Sequence, residues 1–384
     1  MESRKMRVIR KVAVPVAAAG VAFILYRIFS GAQCAGLLRH LRLFTLALLL
    51  ATLLTPAMGW VANRVGALDN PGARKIHKFP TPLLGGAAVF GAFFLSHVFQ
   101  MDFTREMTGL FIAGFLMLAV GTIDDVKGGL PSSARLLAQV AASFIVIAFG
   151  MRLNLMSHTW WGPPLSIALT VFWLVGITNA INFLDGVDGL ASGLSAATSA
   201  IFFILAYRLN DPYLAFITVT LCGASLGFLI FNFKPARIFL GDGGAGFIGF
   251  TLAAFGVMGN WSGGNPIVSF SIPIIVLGVP IFDMIYTTVE RLVTGKARGL
   301  KQLLEYTGRD HLHHRLAGLG FNDIQTVLFI CLVTLALGFG ASVIPNAPKM
   351  TTVYLMMAQA VCVFVIITLL MLYGTRKNGN GNGG

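Results

Sequence analysis

Charge is what this chain has least of. Only 11% of its 384 residues are Asp, Glu, Lys or Arg, against 56% hydrophobic, and the mean hydropathy is +0.79. A soluble protein of this length needs several times more charge to cover its surface, so a water-exposed globular class is excluded. Acids are the scarcer sign, 15 against 28 Lys and Arg. The net charge of +13 does not indicate a nucleic-acid partner, because the basic residues are spread through short loops and form no patch. Cys34, Cys222, Cys331 and Cys362 lie scattered, mostly within apolar runs, with no CxxC pair. Neither a disulfide framework nor a thiolate metal site follows from them. No internal repeat is visible.

Long apolar runs are abundant. They fall at about 12–30, 41–62, 83–100, 107–123, 134–151, 163–181, 189–207, 213–231, 244–260, 267–289, 325–345 and 352–373. A span needs roughly 20 mostly apolar residues, and in lipid each must satisfy its own backbone as a helix. The sequence therefore reads as an all-α, polytopic integral membrane protein with about 11–12 transmembrane helices. Residues 1–35 form an extra N-terminal span or a signal-like segment, 36–374 the polytopic domain, and 375–384 a low-complexity, disordered tail. "MESRKMRVIRK" followed by "VAVPVAAAGVAFILY" resembles the start of a signal peptide, but no A-x-A site follows cleanly, and Tyr26 and Arg27 suggest an interfacial end. A retained helix is the favoured reading.

With the basic N-terminus inside, the loops alternate to give an excess of inside over outside Lys and Arg of about three to one. Inside loops include Arg64, Arg74, Lys75, Lys78, Lys127, Lys234, Arg237, Arg291, Arg309 and Arg315; outside loops hold Arg39, Arg42, Arg105, Arg152, Arg208 and Lys349. The polar clusters "NPGARKIHKFPTPLLGG" (70–86), "IDDVKGG" (123–129), "NAINFLDGVDG" (179–189), "FNFKPARIFLGDGG" (231–244) and "GRDHLHHRLAG" (308–318) all fall inside. One polar site on the cytoplasmic face of the plasma membrane, assembled from separate loops, is the expectation.

Each cluster has a bland reading beside the functional one. Asp124 and Asp125 could be solvated loop charges, or carboxylates for Mg²⁺, which takes one or two carboxylates plus phosphate oxygens. Asp242, followed by Gly243, Gly244 and Gly246 at the start of an apolar run, could be an N-cap, or a metal ligand beside an anion-binding turn. It is no Walker loop, since the lysine and hydroxyl residue are absent. Asn179, Asn182, Asp185 and Asp188 would spiral around a continuous helix, but Gly186 and Gly189 favour a break after Asp185 that lets the four converge on one pocket. His311, His313 and His314 lie between Arg309 and Arg315, a cationic loop better suited to phosphate than to zinc. Asp283 could orient the arginines or pair with Arg291. The set suits phosphoryl or phosphosugar transfer. An ion-coupled transporter is the rival class, with a non-catalytic lipid-binding or scaffold protein behind it, but transporters place ionisable groups at mid-membrane.

Five motifs in order, "DNPGARKIHKFPTPLLGG", "DDVKG", "NAINFLDGVDGLASG", "FNFKPARIFLGDGGA" and "DHLHHRL", resemble the polyprenyl-phosphate N-acetylhexosamine-1-phosphate transferases, from about Leu68 to Leu319. "NPGARKIH" and "HLHHRL" are similar to the branch that primes O-antigen and teichoic-acid chains with N-acetylglucosamine phosphate. The lipid I branch has three uninterrupted histidines. Departures are the extra N-terminal span and "GDGGAG", where the family usually has Ser after the glycine.

The resemblance implies a Mg²⁺-dependent enzyme, with Mn²⁺ as a substitute, that joins a cytosolic UDP-N-acetylhexosamine to a polyprenyl phosphate in the lipid and releases UMP. UDP-N-acetylmuramoyl-pentapeptide is the alternative donor, and a homodimer is left open. By the same carry-over Asp242 is a metal ligand, with Asp124 and Asp125 close by. Asn232, Phe239 and Asp188 surround uridine, with Phe239 as the stacking ring, while Asn179, Asn182 and Asp185 form the polar wall. His311, His313, His314 and Arg315 hold sugar and diphosphate, and Lys78 and Arg309 count among the substrate-binding residues. Direct attack of lipid phosphate on the β-phosphate, with Asp124 orienting the nucleophile, is favoured over a two-step aspartyl-phosphate route.

Overall fold

The structure is a computed structural model that describes residues 4–29, 36–70, 80–99, 103–153, 159–261, 265–296, 299, 302, 308, 310–346 and 350–380. Its helices are α1 (Arg4–Phe29), α2 (Leu37–Val65), α3 (Gly85–Val98), α4 (Arg105–Lys127), α5 (Ser132–Ala148), α6 (Gly162–Leu184), α7 (Leu190–Arg208), α8 (Pro212–Asn232) and α9 (Gly241–Met258). They continue as α10 (Pro266–Val276), α11 (Gly278–Val293), α12 (Leu312–Gly318), α13 (Asp323–Ala341) and α14 (Met350–Asn380). One antiparallel pair, β1 (Leu68–Asp69) with β2 (Thr81–Pro82), is the strand structure among the described residues.

Among the described residues eight helices are long and apolar enough to span a membrane, and α10 with α11 makes a ninth, bent by 79°. The bend was not legible in the continuous apolar run 267–289. Pro280 has no N–H for the carbonyl of Val276, so the helix breaks at Leu277. The remaining expected spans correspond to α1, 26 residues long, and to the shorter apolar helices α3 and α5. At 14 residues α3 is about 21 Å long, less than the roughly 30 Å hydrocarbon core. Helix α14 runs through residues 375–380 of the segment expected to be irregular.

Helix ends follow local chemistry. Thr104 and Asp211 accept N–H groups at the starts of α4 and α8, and Asn322 with Gln325 forms a capping box at α13. Close packing comes from glycine. Gly223 and Gly227 of α8 face the carbonyls of Phe44 and Leu48 on α2, leaving no room for a Cβ. Helix α9 is wedged between two neighbours in the same way, Gly243 against Gly121 of α4 and Gly244 against Gly86 of α3. Phe93, Phe202, Phe228, Phe247, Phe250 and Phe255 fill the centre of the bundle. The C-termini of α4, α6 and α8, the N-termini of α5 and α9, and α12 all meet at one end.

Candidate active site

The glycine contact between α4 and α9 brings three acids together. Asp125, in the last turn of α4, accepts the backbone N–H of Asp242 at 3.0 Å and of Gly243 at 3.3 Å. It thus caps α9 from a different helix, completing donors that a first turn leaves unpaired. Asp242 is not an N-cap itself, since α9 begins at Gly241 and no side chain of its own caps it. Its carboxylate meets those of Asp124 and the amide of Asn182. Asp124 is buried and also accepts the backbone N–H of Leu130. Arg135 of α5 stands between the two acids, its Nη1 3.4 Å from Asp124 and 3.6 Å from Asp242.

Helix α6 does end at Leu184, where Gly186 and Gly189 predicted a break, and Gly189 takes a φ of 82°. The four polar residues nevertheless do not share one pocket. Asn179 remains on the helix, its amide paired with Gln139 of α5 at 2.8 and 3.2 Å. Asn182 faces Asp242, and Asp185 and Asp188 line the cavity. Burial pushes the Asp185 carboxyl well above the usual range, and the charges of Asp242, Asp125 and Asp188 push it the same way. Asp188 accepts the backbone N–H of Ala236 at 2.9 Å, tying down the loop before α9. Asn232 holds that loop too, donating to the Ile238 carbonyl at 3.0 Å while accepting from Ser192 at 2.8 Å. Phe239 lines the cavity, with its backbone N–H donated to the carbonyl of Pro82.

In the histidine loop, expected as a cationic cluster suited to phosphate, Arg315 is engaged by protein groups. Arg315 donates to the Asp310 carbonyl at 2.6 Å and to Glu290, over the Tyr286 ring. Arg291 pairs with Asp310 at 2.7 and 2.8 Å. Burial acts to raise the Asp310 carboxyl, and Arg291 outweighs it, so the group sits below its ordinary range. His311 is bound by Asp283 at 2.8 Å. His313 is 2% exposed, has no partner at either ring nitrogen and lies against Gly186. Burial, then His314 and His311, push it down to about 3, so it is neutral at physiological pH. Of the four residues expected on sugar and diphosphate, His314 alone lines the cavity. Lys78 and Arg309 lie outside the described residues.

The cavity measures about 1120 Å³, and its wall includes Asp124, Asp125, Arg135, Asp185, Asp188 and Asp242. Lys234 and Asp323, an ion pair, line it as well. Sequence reasoning missed Arg135, which looks like a stray cation at the head of an apolar run. Its one signal was that a charge so placed needs a partner. Among the described residues no three His, Cys, Asp or Glu side chains form a ready-made metal cage. The oxygen-only donors Asp124 and Asp242 fit a hard cation that takes its other ligands from phosphate and water. A second cavity of about 590 Å³ lies at the far end of the bundle, beside Glu106, Arg152 and Asp211.

Fold and site together define a multi-pass membrane protein whose acids converge on one polar cavity. Residues 107–260 match the model of glycosyl transferase family 4, a stretch holding Asp124, Asp125, Asp185, Asp188, Asn232 and Asp242. The chain is 30% identical over 339 residues to the "Probable undecaprenyl-phosphate N-acetylglucosaminyl 1-phosphate transferase" of Bacillus subtilis (strain 168), covering 86% of this chain and 89% of that one. It is 31% identical over 377 residues to the decaprenyl-phosphate N-acetylglucosaminephosphotransferase of Mycobacterium leprae (strain TN), covering 89% and 92%. Identity to the phospho-N-acetylmuramoyl-pentapeptide-transferase of Latilactobacillus sakei subsp. sakei (strain 23K) is 33%, over 46% of this chain and 61% of that one. The chain belongs to glycosyl transferase family 4, as a membrane-embedded transferase.

Proposed function

We propose that this protein transfers N-acetylglucosamine-1-phosphate from UDP-N-acetylglucosamine to a polyprenyl phosphate, releasing UMP and priming a cell-surface polysaccharide. The observation that carries the reading is the meeting of Asp124, Asp242 and Arg135 on the wall of a cavity of about 1120 Å³, at the end of a helix bundle. Near-full-length similarity to N-acetylglucosamine-1-phosphate transferases supports this donor over the pentapeptide one, whose relative matches under half of the chain. The excess of inside Lys and Arg supports a cytoplasmic cavity in the plasma membrane, where UDP-sugars are available.

An oxygen of the lipid phosphate attacks the β-phosphorus of the donor. The bond from that phosphorus to the α–β bridging oxygen breaks, and UMP leaves with the electron pair. The lipid phosphate has a second pKa near 6, so no strong base is required. Bringing two anions together is the harder task. Asp124 and Asp242 would hold Mg²⁺, or Mn²⁺ in its place, and the bound ion supplies charge neutralisation for the diphosphate. Arg135 adds a fixed positive charge beside them. Asp125 is spent on backbone N–H groups and serves the shape of α9. Phe239 offers a ring for the uracil, and Asp188 and Asn232 hold the loop that carries it.

The reading is tested with purified protein, undecaprenyl phosphate, Mg²⁺ and sugar-labelled UDP-N-acetylglucosamine. Label in the lipid phase, lost with a chelator and with Asp242→Asn, is expected. Turnover that survives both contradicts the placement of the metal. Transfer from UDP-N-acetylmuramoyl-pentapeptide alone overturns the donor.

A further inference from the structure

The charged side chains of α11 and of the segment before α12 close on one another. Asp283, 2% exposed, accepts the Nδ1–H of His311 at 2.8 Å and the backbone N–H of Leu312 at 2.6 Å. Arg291 donates to His311 Nε2 at 3.3 Å while holding both carboxylate oxygens of Asp310. A guanidinium can only donate, so Nε2 is the acceptor and Nδ1 carries the hydrogen. Both ring nitrogens of His311 are thus taken by protein groups, and its ring stacks on Phe183 of α6 at 5.1 Å. Neither His311 nor Asp283 lines the cavity. The residues that follow do reach the site: His313 abuts Gly186 with its ring nitrogens unpartnered, and His314 lines the cavity wall.

We propose that Asp283 is a positioning residue that acts through His311. By fixing that ring and the first N–H of α12, it sets where His313 meets Gly186 and where His314 meets the cavity, and it touches no substrate. An acid so deeply buried is costly unless well paired, and both of its oxygens are spent on the one segment. The proposal rests on the phosphosugar-transfer reading above and adds a division of labour to it. His311 is held by Asp283 and Arg291, while His313 packs on Gly186 of the cavity wall and His314 lines the cavity.

The test uses full-length protein in detergent as Asp283→Ala, His311→Ala, His311→Asn and the double variant Asp283→Ala/His311→Ala. Displacing the two downstream histidines should lower kcat about 10- to 100-fold in each alanine variant, the scale of a 1 Å misplacement, with KM for UDP-N-acetylglucosamine changed less than about threefold. Asparagine presents an N–H near the lost Nδ1–H, so His311→Asn should recover kcat to within about fivefold of the parent. The double variant should be no worse than the poorer single one, since one residue acts through the other. Nitrogen-15 spectra of histidine-labelled protein should show the His311 Nδ1–H tautomer, disturbed by Asp283→Ala. His311→Asn as inactive as His311→Ala, at unchanged KM, would make His311 itself a catalytic residue and overturn the proposal. So would parental kcat in Asp283→Ala. If the parent protein turns over no donor at all, it is the transfer reading that fails. The spectra then decide alone, an unaltered His311 signal in Asp283→Ala overturning the positioning role and its loss supporting it.

Discussion

The carboxylate of Asp125, in the last turn of α4, accepts the backbone N–H of Asp242, in the first turn of α9, at 3.0 Å. A second bond to Gly243 makes the pair a cap between two helices. The two adjacent aspartates therefore do different work. Asp124 turns toward Asp242 and Arg135, and Asp125 anchors the backbone that presents Asp242. Asp125→Ala should lower thermal stability in detergent by about 1–3 kcal/mol, the cost of orphaned buried donors. Asp124→Ala, which orphans the one N–H of Leu130 rather than two at the start of α9, should lower the melting temperature less while abolishing transfer. Thermal unfolding of both variants checks this, and equal destabilisation would contradict it.

Gly243 has no room to grow. A Cβ there would lie 2.8 Å from the Leu118 carbonyl and from the Thr122 N–H nitrogen, both backbone atoms. Gly243→Ala should pry α9 from α4, with an overpacking cost of about 1–3 kcal/mol. Activity should fall further than in Gly246→Ala, whose nearest neighbour is the flexible end of Met117 at 3.3 Å. Parallel kcat and melting measurements on the two variants decide it.

Arg135 is the fixed positive charge between Asp124 and Asp242. Arg135→Gln should lower kcat/KM about 10- to 100-fold with little change in stability, because a half-exposed ion pair is worth only about 0–1 kcal/mol to folding. Arg135→Lys should recover part of that loss. Steady-state kinetics on both variants read it out.

His313 gives a pH dependence with a defined sign. Its ordinary value is 6.5 and burial holds it at about 3, so between these the unfolded chain binds a proton that the folded protein refuses. Stability from this residue is intact above about 6.5 and is lost as pH falls toward 3, at up to about 1.4 kcal/mol per pH unit. Melting curves at pH 7 and pH 5 should therefore separate less in His313→Asn than in the parent.

Much of this was readable beforehand, because lipid forces helices and glycines mark their ends. The break after Asp185 followed from Gly186 and Gly189, and the convergence of Asp124, Asp125 and Asp242 from their motifs. What sequence could not show was which polar group takes which partner. Asn179 reads like the other residues of its motif, yet Gln139, forty positions away, closes on it. Arg315 reads as a ligand for sugar and diphosphate because Glu290, 25 positions away, comes to it only when α11 and α12 pack. Asp283 was read beside the arginines, whereas its carboxylate takes the ring of His311, 28 positions on, and the backbone of Leu312.

The central claim is that the β-phosphate travels with the sugar. Donor labelled separately in the sugar and in the β-phosphate, incubated with the protein, polyprenyl phosphate and Mg²⁺, tests it most directly. Transfer as described places both labels in the lipid phase in equal amount, with one UMP released for each. Sugar label in the lipid with the β-phosphate left on released UDP would contradict it.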